Sequence, residues 1–156
     1  MNILINILIV VLSFIMMECV AWLTHKYVMH GLFWFLHKDH HQRETKGFFE
    51  RNDYFFLIFA IPGIIGLAIG LEQDYSALFW IGLGITLYGF AYFTVHDIFI
   101  HQRFKLFRNS ENAYLRAIRR AHKMHHKHLG KEEGECFGML WVPFRYFIEA
   151  GNAVKS

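Results

Sequence analysis

The chain has 156 residues, 54% of them hydrophobic and 18% aromatic, which is too apolar for an ordinary soluble protein of this length. A formal charge of +3 is modest and gives no expectation of a nucleic-acid partner. Two cysteines, one of them (Cys19) inside an apolar run, exclude a disulfide framework, and the length suits one domain over 1–156.

Ile3 to Leu23 is an apolar run of 21 residues, interrupted only by Asn6, Ser13 and Glu18. That is long enough to cross a bilayer. No basic stretch precedes it and no small-residue cleavage site precedes His25, so a retained membrane helix is expected and not a removable signal. Glu18 is ionisable and lies inside this span, which makes it a functional candidate. It precedes His25 by seven residues and so falls near the same helical face. Its readings are a proton relay, a ligand-orienting group, or a neutral hydrogen-bonded contact between helices.

His25 and His30 follow as H-x4-H, and His37, His40 and His41 as H-x-x-H-H. Residues three and four apart share a helical face, so His37 lines up with both His40 and His41. A five-residue step turns about 140° on a straight helix. The first pair therefore either brackets a metal lying between helices or sits on locally distorted helix. Metal-bound histidines usually donate their other ring N–H to a carboxylate or carbonyl. Asp39, beside the triplet, and the polar stretch Gly47–Asp53, ending in Asp53, are candidates for that role. Asp39 as a merely solvated side chain is the alternative.

Tyr54–Leu71 and Ala77–Val95 are apolar stretches of 18 and 19 residues, separated by the acidic turn Glu72–Ser76. They read as a tight transmembrane hairpin. Gly66 and Gly70, and then Gly82, Gly84 and Gly89, read as sites of close helix packing.

Beyond the hairpin the histidine pattern repeats. His96 and His101 form H-x4-H with Asp97 beside them, a candidate like Asp39 for a ring N–H partner or else a solvated side chain, and His122, His125 and His126 form H-x-x-H-H. Ten of the eleven histidines thus fall into four clusters, and only His128 is left over. Neutral imidazole suits iron, zinc, copper and nickel. One metal takes about four to six ligands, so ten histidines suggest two metals. On a helix over Leu115–Lys127, with Ser110 as its N-cap, the residues Leu115, Ile118, His122, His125 and His126 share one arc. Arg116, Arg119, Arg120, Lys123 and Lys127 share the next, so the histidines belong to the buried face. Phe137–Phe147 is apolar but only 11 residues long and contains Pro143, which suits a re-entrant or interfacial segment. Glu149–Ser156 reads as a frayed tail.

All 16 Lys and Arg lie in Lys26–Arg51 or Arg103–Lys155. The positive-inside rule then puts both basic stretches in the cytoplasm and the 72–76 turn outside. A hairpin that leaves and returns brings all four histidine clusters to one side of the membrane. The expected fold is an all-α integral membrane protein with about three transmembrane helices, an interfacial C-terminal segment and a cytoplasmic-side di-metal site.

These histidine boxes, on a small helical membrane protein, resemble the fatty-acid hydroxylase superfamily. The stretches that carry the resemblance are Met17-Glu18, His25–Gly31, His37–His41, Phe49–Asp53, His96–Arg103 and Ala121–His126, and they run over nearly the whole chain. The chain is most similar to the carotenoid-hydroxylating branch. The resemblance implies a non-heme di-iron monooxygenase of the cell inner membrane that uses O2 to hydroxylate β-ionone rings at carbon 3. Its metal ligands carry over to His25, His30, His37, His40, His41, His96, His101, His122, His125 and His126. It further implies two iron ions, a carotenoid entering from membrane lipid, and electrons from ferredoxin or a similar donor. The basic arc on Leu115–Lys127 is a candidate dock for an acidic donor, with the positive-inside rule as the plainer account of its charge. The alternatives are a fatty-acid or sterol hydroxylase and, from another class, a membrane metal transporter or sensor.

Overall fold

The computed structural model describes residues 2–42, 47–106 and 109–155. All regular structure among them is helical. Helix α1 (Ile3–Leu23) is capped by Asn2, whose side chain accepts from Leu4 N at 3.0 Å. It passes into a π-type turn over Thr24–Leu32 and then, after a break at Gly31, into α2 (Trp34–His41). Helix α3 (Asp53–Glu72) and α4 (Ala77–Phe93) form an antiparallel pair, and α4 continues into a second π-type turn, Thr94–Ile100. Helix α5 (Ala113–Lys127) and α6 (Arg145–Lys155) complete the chain.

Three helical stretches, 3–32, 53–72 and 77–100, are long and apolar enough to span a bilayer. Their leucines and isoleucines point largely outward, as side chains that meet lipid do. The α3–α4 turn is tight: Asp74 and Tyr75 take left-handed backbone angles (φ 54° and 59°), and Ser76 N donates to Gly70 O at 3.1 Å. Four glycines act as the packing reading expects. A Cβ on Gly70 would lie 2.1 Å from Phe79 N, and one on Gly66 3.1 Å from Gly82 Cα. One on Gly82 would lie 2.6 Å from Leu67 N, and one on Gly84 2.6 Å from Val10 O of α1. Gly89 differs, because its Cβ would meet nothing within 4 Å.

The two π-type turns resolve the five-residue histidine spacing. His101 N bonds His96 O at 2.9 Å, and Phe33 N bonds Val28 O at 2.8 Å, both i→i+5. A helix widened in this way carries residues five apart on one face, and such turns concentrate at functional sites. Local distortion is therefore the outcome of the two open alternatives.

A second core joins α5, α6 and the second π turn through Phe99, Ile118, Ala121, Val142 and Tyr146. Ile118, His122 and His125 are buried on α5, with Leu115 and His126 partly so. Arg120, Lys123 and Lys127 face outward, whereas Arg119 stacks on the Phe99 ring at 3.9 Å and donates to its carbonyl. The N-cap of α5 is Asn112, whose side chain accepts from Leu115 N at 3.1 Å, in place of Ser110. The apolar C-terminal stretch is irregular up to Pro143, with Trp141 81% exposed. The tail is helical through Lys155 instead of frayed.

Candidate metal centre

The end of α1, the start of α3 and the end of α4 meet at one end of the three-helix unit, with the 73–76 turn at the other. Helices α2 and α5 close over that end. Their histidines form two groups whose nitrogen donors lie within 4.8 Å of one another. The first holds His25, His30, His37, His41 and His125, and the second His40, His101, His122 and His126. His96 stands at the edge of the second, its Nε2 3.0 Å from His40 Nε2. All ten histidines singled out by spacing are thus brought together. The side chain of His128 belongs to neither group, although its carbonyl does contribute.

The outer ring nitrogens are tied to acceptors. His25 Nδ1 donates to Phe137 O (2.9 Å), His30 Nδ1 to Lys131 O (3.1 Å), His41 Nδ1 to His128 O (3.0 Å) and His125 Nδ1 to Glu135 O (2.7 Å). His37 Nδ1 donates to Asn52 Oδ1 (2.6 Å), His40 Nδ1 to Glu50 Oε2 (2.8 Å) and His96 Nδ1 to Asp97 Oδ2 (3.1 Å). An acceptor-only partner places the proton on Nδ1 and leaves a lone pair on Nε2.

Those lone pairs face each other. Nε2–Nε2 separations are 3.1 Å for His25–His37, 3.2 Å for His30–His125, 3.2 Å for His37–His41 and 3.0 Å for His40–His96. Two Nε2 atoms without protons cannot hydrogen-bond one another, and at this distance they repel. A shared cation removes the conflict: two imidazoles bound at about 2.0–2.1 Å and at right angles stand about 3 Å apart. The donor set therefore fits metal ions.

Electrostatics agree. Burial pushes the pKa values of His37, His40, His101 and His122 well below the ordinary value, with neighbouring histidines adding to the shift in each. Burial, then His30, brings His41 down to about 4, and burial, then His41, brings His126 down to about 3. All are neutral at physiological pH, the form in which imidazole can bind a metal. His122 Nδ1 is buried without a hydrogen-bond partner, so nothing on that side fixes its tautomer.

Of the carboxylates read as candidate partners, Asp97 touches the His96 ring and Glu50, within the marked stretch Gly47–Asp53, touches that of His40. Asp39 instead accepts from Arg51 N at 2.7 Å and so holds the loop before α3. Asp53 pairs with Arg103 through both oxygens, at 3.1 and 2.7 Å. Arg103 also reaches Asp97 (3.0 Å) and Glu50 (3.4 Å), so one guanidinium gathers three carboxylates, two of them on histidines. Burial works against its charge, but Asp53, Asp97 and Glu50 outweigh that and raise its pKa. Burial likewise raises Glu50, against the pull of Arg103.

Glu18 touches no histidine. Its Oε1 accepts from Met139 N (2.8 Å), Leu140 N (2.9 Å) and Trp141 N (3.0 Å), and its Oε2 accepts from Tyr88 O–H (2.7 Å). It clasps the strand of chain that runs on from Phe137, whose carbonyl holds His25. Of the readings of Glu18, the hydrogen-bonded contact between helices matches its bond from Tyr88 of α4.

An apolar cavity of about 360 Å³ lies between α1, α3 and α4. Met17, Phe55, Phe59, Ile85 and Phe93 line it, and it ends on His25 and His96, one ring from each side of the centre. The Tyr92 ring stacks on His96 with centroids 5.0 Å apart.

The model of the fatty acid hydroxylase family matches residues 10–145. The chain is 42% identical over 139 residues to a beta-carotene hydroxylase of Pseudescherichia vulneris, covering 89% of this chain and 78% of that protein. It is 43% identical over 138 residues to a beta-carotene hydroxylase of Pantoea ananas, covering 88% and 78%. A chloroplastic beta-carotene 3-hydroxylase of Haematococcus lacustris is 39% identical over 143 residues, covering 88% of this chain and 44% of that protein. No solved structure matches the chain at a significant level.

Proposed function

Since the chain belongs to the fatty acid hydroxylase family, we propose that it hydroxylates the β-ionone rings of β-carotene at carbon 3, giving β-cryptoxanthin and then zeaxanthin. The observation that carries this reading is the cavity: an apolar slot among lipid-facing helices that ends on two histidines of the candidate centre. An apolar substrate enters such a slot from the bilayer and meets a wall that is mainly apolar. The alternative of a fatty-acid or sterol substrate has no observation in its favour beyond the family itself.

We assign His25, His30, His37, His41 and His125 to one iron ion and His40, His101, His122 and His126, with His96 beside them, to a second. Bound there, the two irons would supply reduction of O2 by two electrons and two protons, placing one oxygen in the ring C–H bond and releasing the other as water. The chain's own residues do the rest. Carbonyls 128, 131, 135 and 137, with Asn52, Glu50 and Asp97, fix the rings so that Nε2 points inward. The phenylalanines of the slot keep water from the ring being oxidised. The electrons come from a separate ferredoxin-type donor, and the groove of about 710 Å³ lined by Arg116, Arg120 and Lys123 on α5 is its proposed dock.

Expression in cells that accumulate β-carotene tests the reaction, with zeaxanthin the expected pigment. Anaerobically purified protein should carry about two equivalents of iron per chain, given the roughly four to six ligands that one metal takes. Unchanged β-carotene at full protein level, or active protein without metal, would overturn the assignment. We further propose that the domain is one inner-membrane unit with the centre on the cytoplasmic side. Single cysteines at positions 74 and 110 should then label from opposite faces of the membrane, and labelling of both from one face would refute that topology. Thr45, the corresponding position in the first histidine region, lies outside the described residues.

A further inference from the structure

Gly89 is the glycine of α4 that packing does not explain. Gly82 and Gly84 admit no Cβ, because a neighbouring helix backbone already occupies the space. At Gly89 a Cβ would stand free, and an interior helical glycine costs stability relative to alanine. Its surroundings supply the missing reason. Ile85, Thr86, Gly89, Tyr92, Phe93 and His96 all line the cavity. They fall at the three- and four-residue steps that make one helical face. Gly89 lies at the middle of that face, two turns from His96 and roughly 10 Å along the axis at 1.5 Å per residue. It is the place on this wall where the slot is widened by the absence of a side chain.

We propose that Gly89 sets the girth of the apolar group that the cavity admits, making room for a methyl-bearing ring and its branched chain where a side chain would leave room only for a slim alkyl chain. This rests on the carotenoid-ring reading above and adds to it the residue that selects by shape. The physical basis is volume. A cavity of about 360 Å³ is near the small end of ligand sites, so a branched side chain projecting from one wall removes a decisive share of it. Steric exclusion of this kind needs no polar contact and leaves the histidine cluster untouched.

The test uses purified wild type, Gly89→Ala and Gly89→Leu in lipid nanodiscs. The readouts are β-carotene retained per mole of protein, retention of a straight-chain fatty acid, iron content and conversion in β-carotene-accumulating cells. Gly89→Leu should retain and convert β-carotene at least tenfold less well, while its iron content and straight-chain retention stay at the wild-type level. Gly89→Ala should fall between the two. Unimpaired β-carotene retention in Gly89→Leu would overturn the proposal, and so would an equal loss of both ligands or of iron, which would mark Gly89 as a structural glycine. The functional reading is judged separately, by whether the wild type converts what it retains.

Discussion

Replacing His125 or His40 by alanine is expected to abolish zeaxanthin formation, by at least 100-fold, while the protein still inserts in the membrane. His125 is fully buried, faces His30 Nε2 at 3.2 Å and is held from behind by Glu135 O. His40 faces His96 Nε2 at 3.0 Å and is held by Glu50. Each variant removes one donor from a group and frees the rings around it to shift, and placement errors of about 1 Å can cost on the order of 100-fold in rate. His128→Ala is the control. It keeps the backbone carbonyl that positions His41 and loses only a side chain outside both groups, so its activity should stay near wild type. Pigment analysis at matched protein levels checks all three. Equal damage from His128→Ala and His125→Ala would refute the division of the histidines made above.

Arg103→Met is expected to be the most damaging change outside the histidines. Arg103 holds Asp53, Asp97 and Glu50 together at 2.7–3.4 Å, with 14% of its side chain exposed. Removing it leaves three crowded carboxylates without their cation, and breaking a buried pair of this kind costs about 3–5 kcal/mol. The loss passes to the centre, because Glu50 and Asp97 are the groups that aim His40 and His96. Loss of such outer partners typically costs 10–100-fold in metal affinity or activity. Arg103→Lys should recover little, since a point ammonium cannot match a planar fork that reaches three partners at once. Thermal unfolding in detergent and iron retained against a chelator measure the two effects. Wild-type values in both would show that the network is incidental.

The histidines were legible because each cluster lies within one helical stretch, where spacing along the chain is spacing in space. The same logic found Asp97, which holds His96, and failed for Asp39. Asp39 adjoins His40 in sequence, but one step along a helix turns about 100°, and the carboxylate faces Arg51 N instead. Four of the seven acceptors behind the rings are main-chain carbonyls at positions 128, 131, 135 and 137, which every residue type carries. Glu50 and Asn52 lie in the polar stretch 47–53 that the sequence does mark, although only the fold shows which of its residues face inward. The spans and the tight hairpin follow from hydropathy alone. The five-residue histidine step was ambiguous because it fits no regular α-helix, and a π-type turn is the local geometry that gives it meaning. Gly89 read like its neighbours because a glycine that admits a helix and a glycine that leaves a hollow are the same letter.

The clasp at Glu18 has a consequence for biogenesis. The carbonyls that set His30, His125 and His25 come from residues 131 to 137, which leave the ribosome long after α1 has entered the bilayer. Glu18 waits in that first helix for three amide protons that arrive with residues 139 to 141. The first histidine group is therefore a socket whose back wall is delivered last. Closing that wall waits on the docking of residues 139–141, among the last to be made, onto the oldest helix of the molecule.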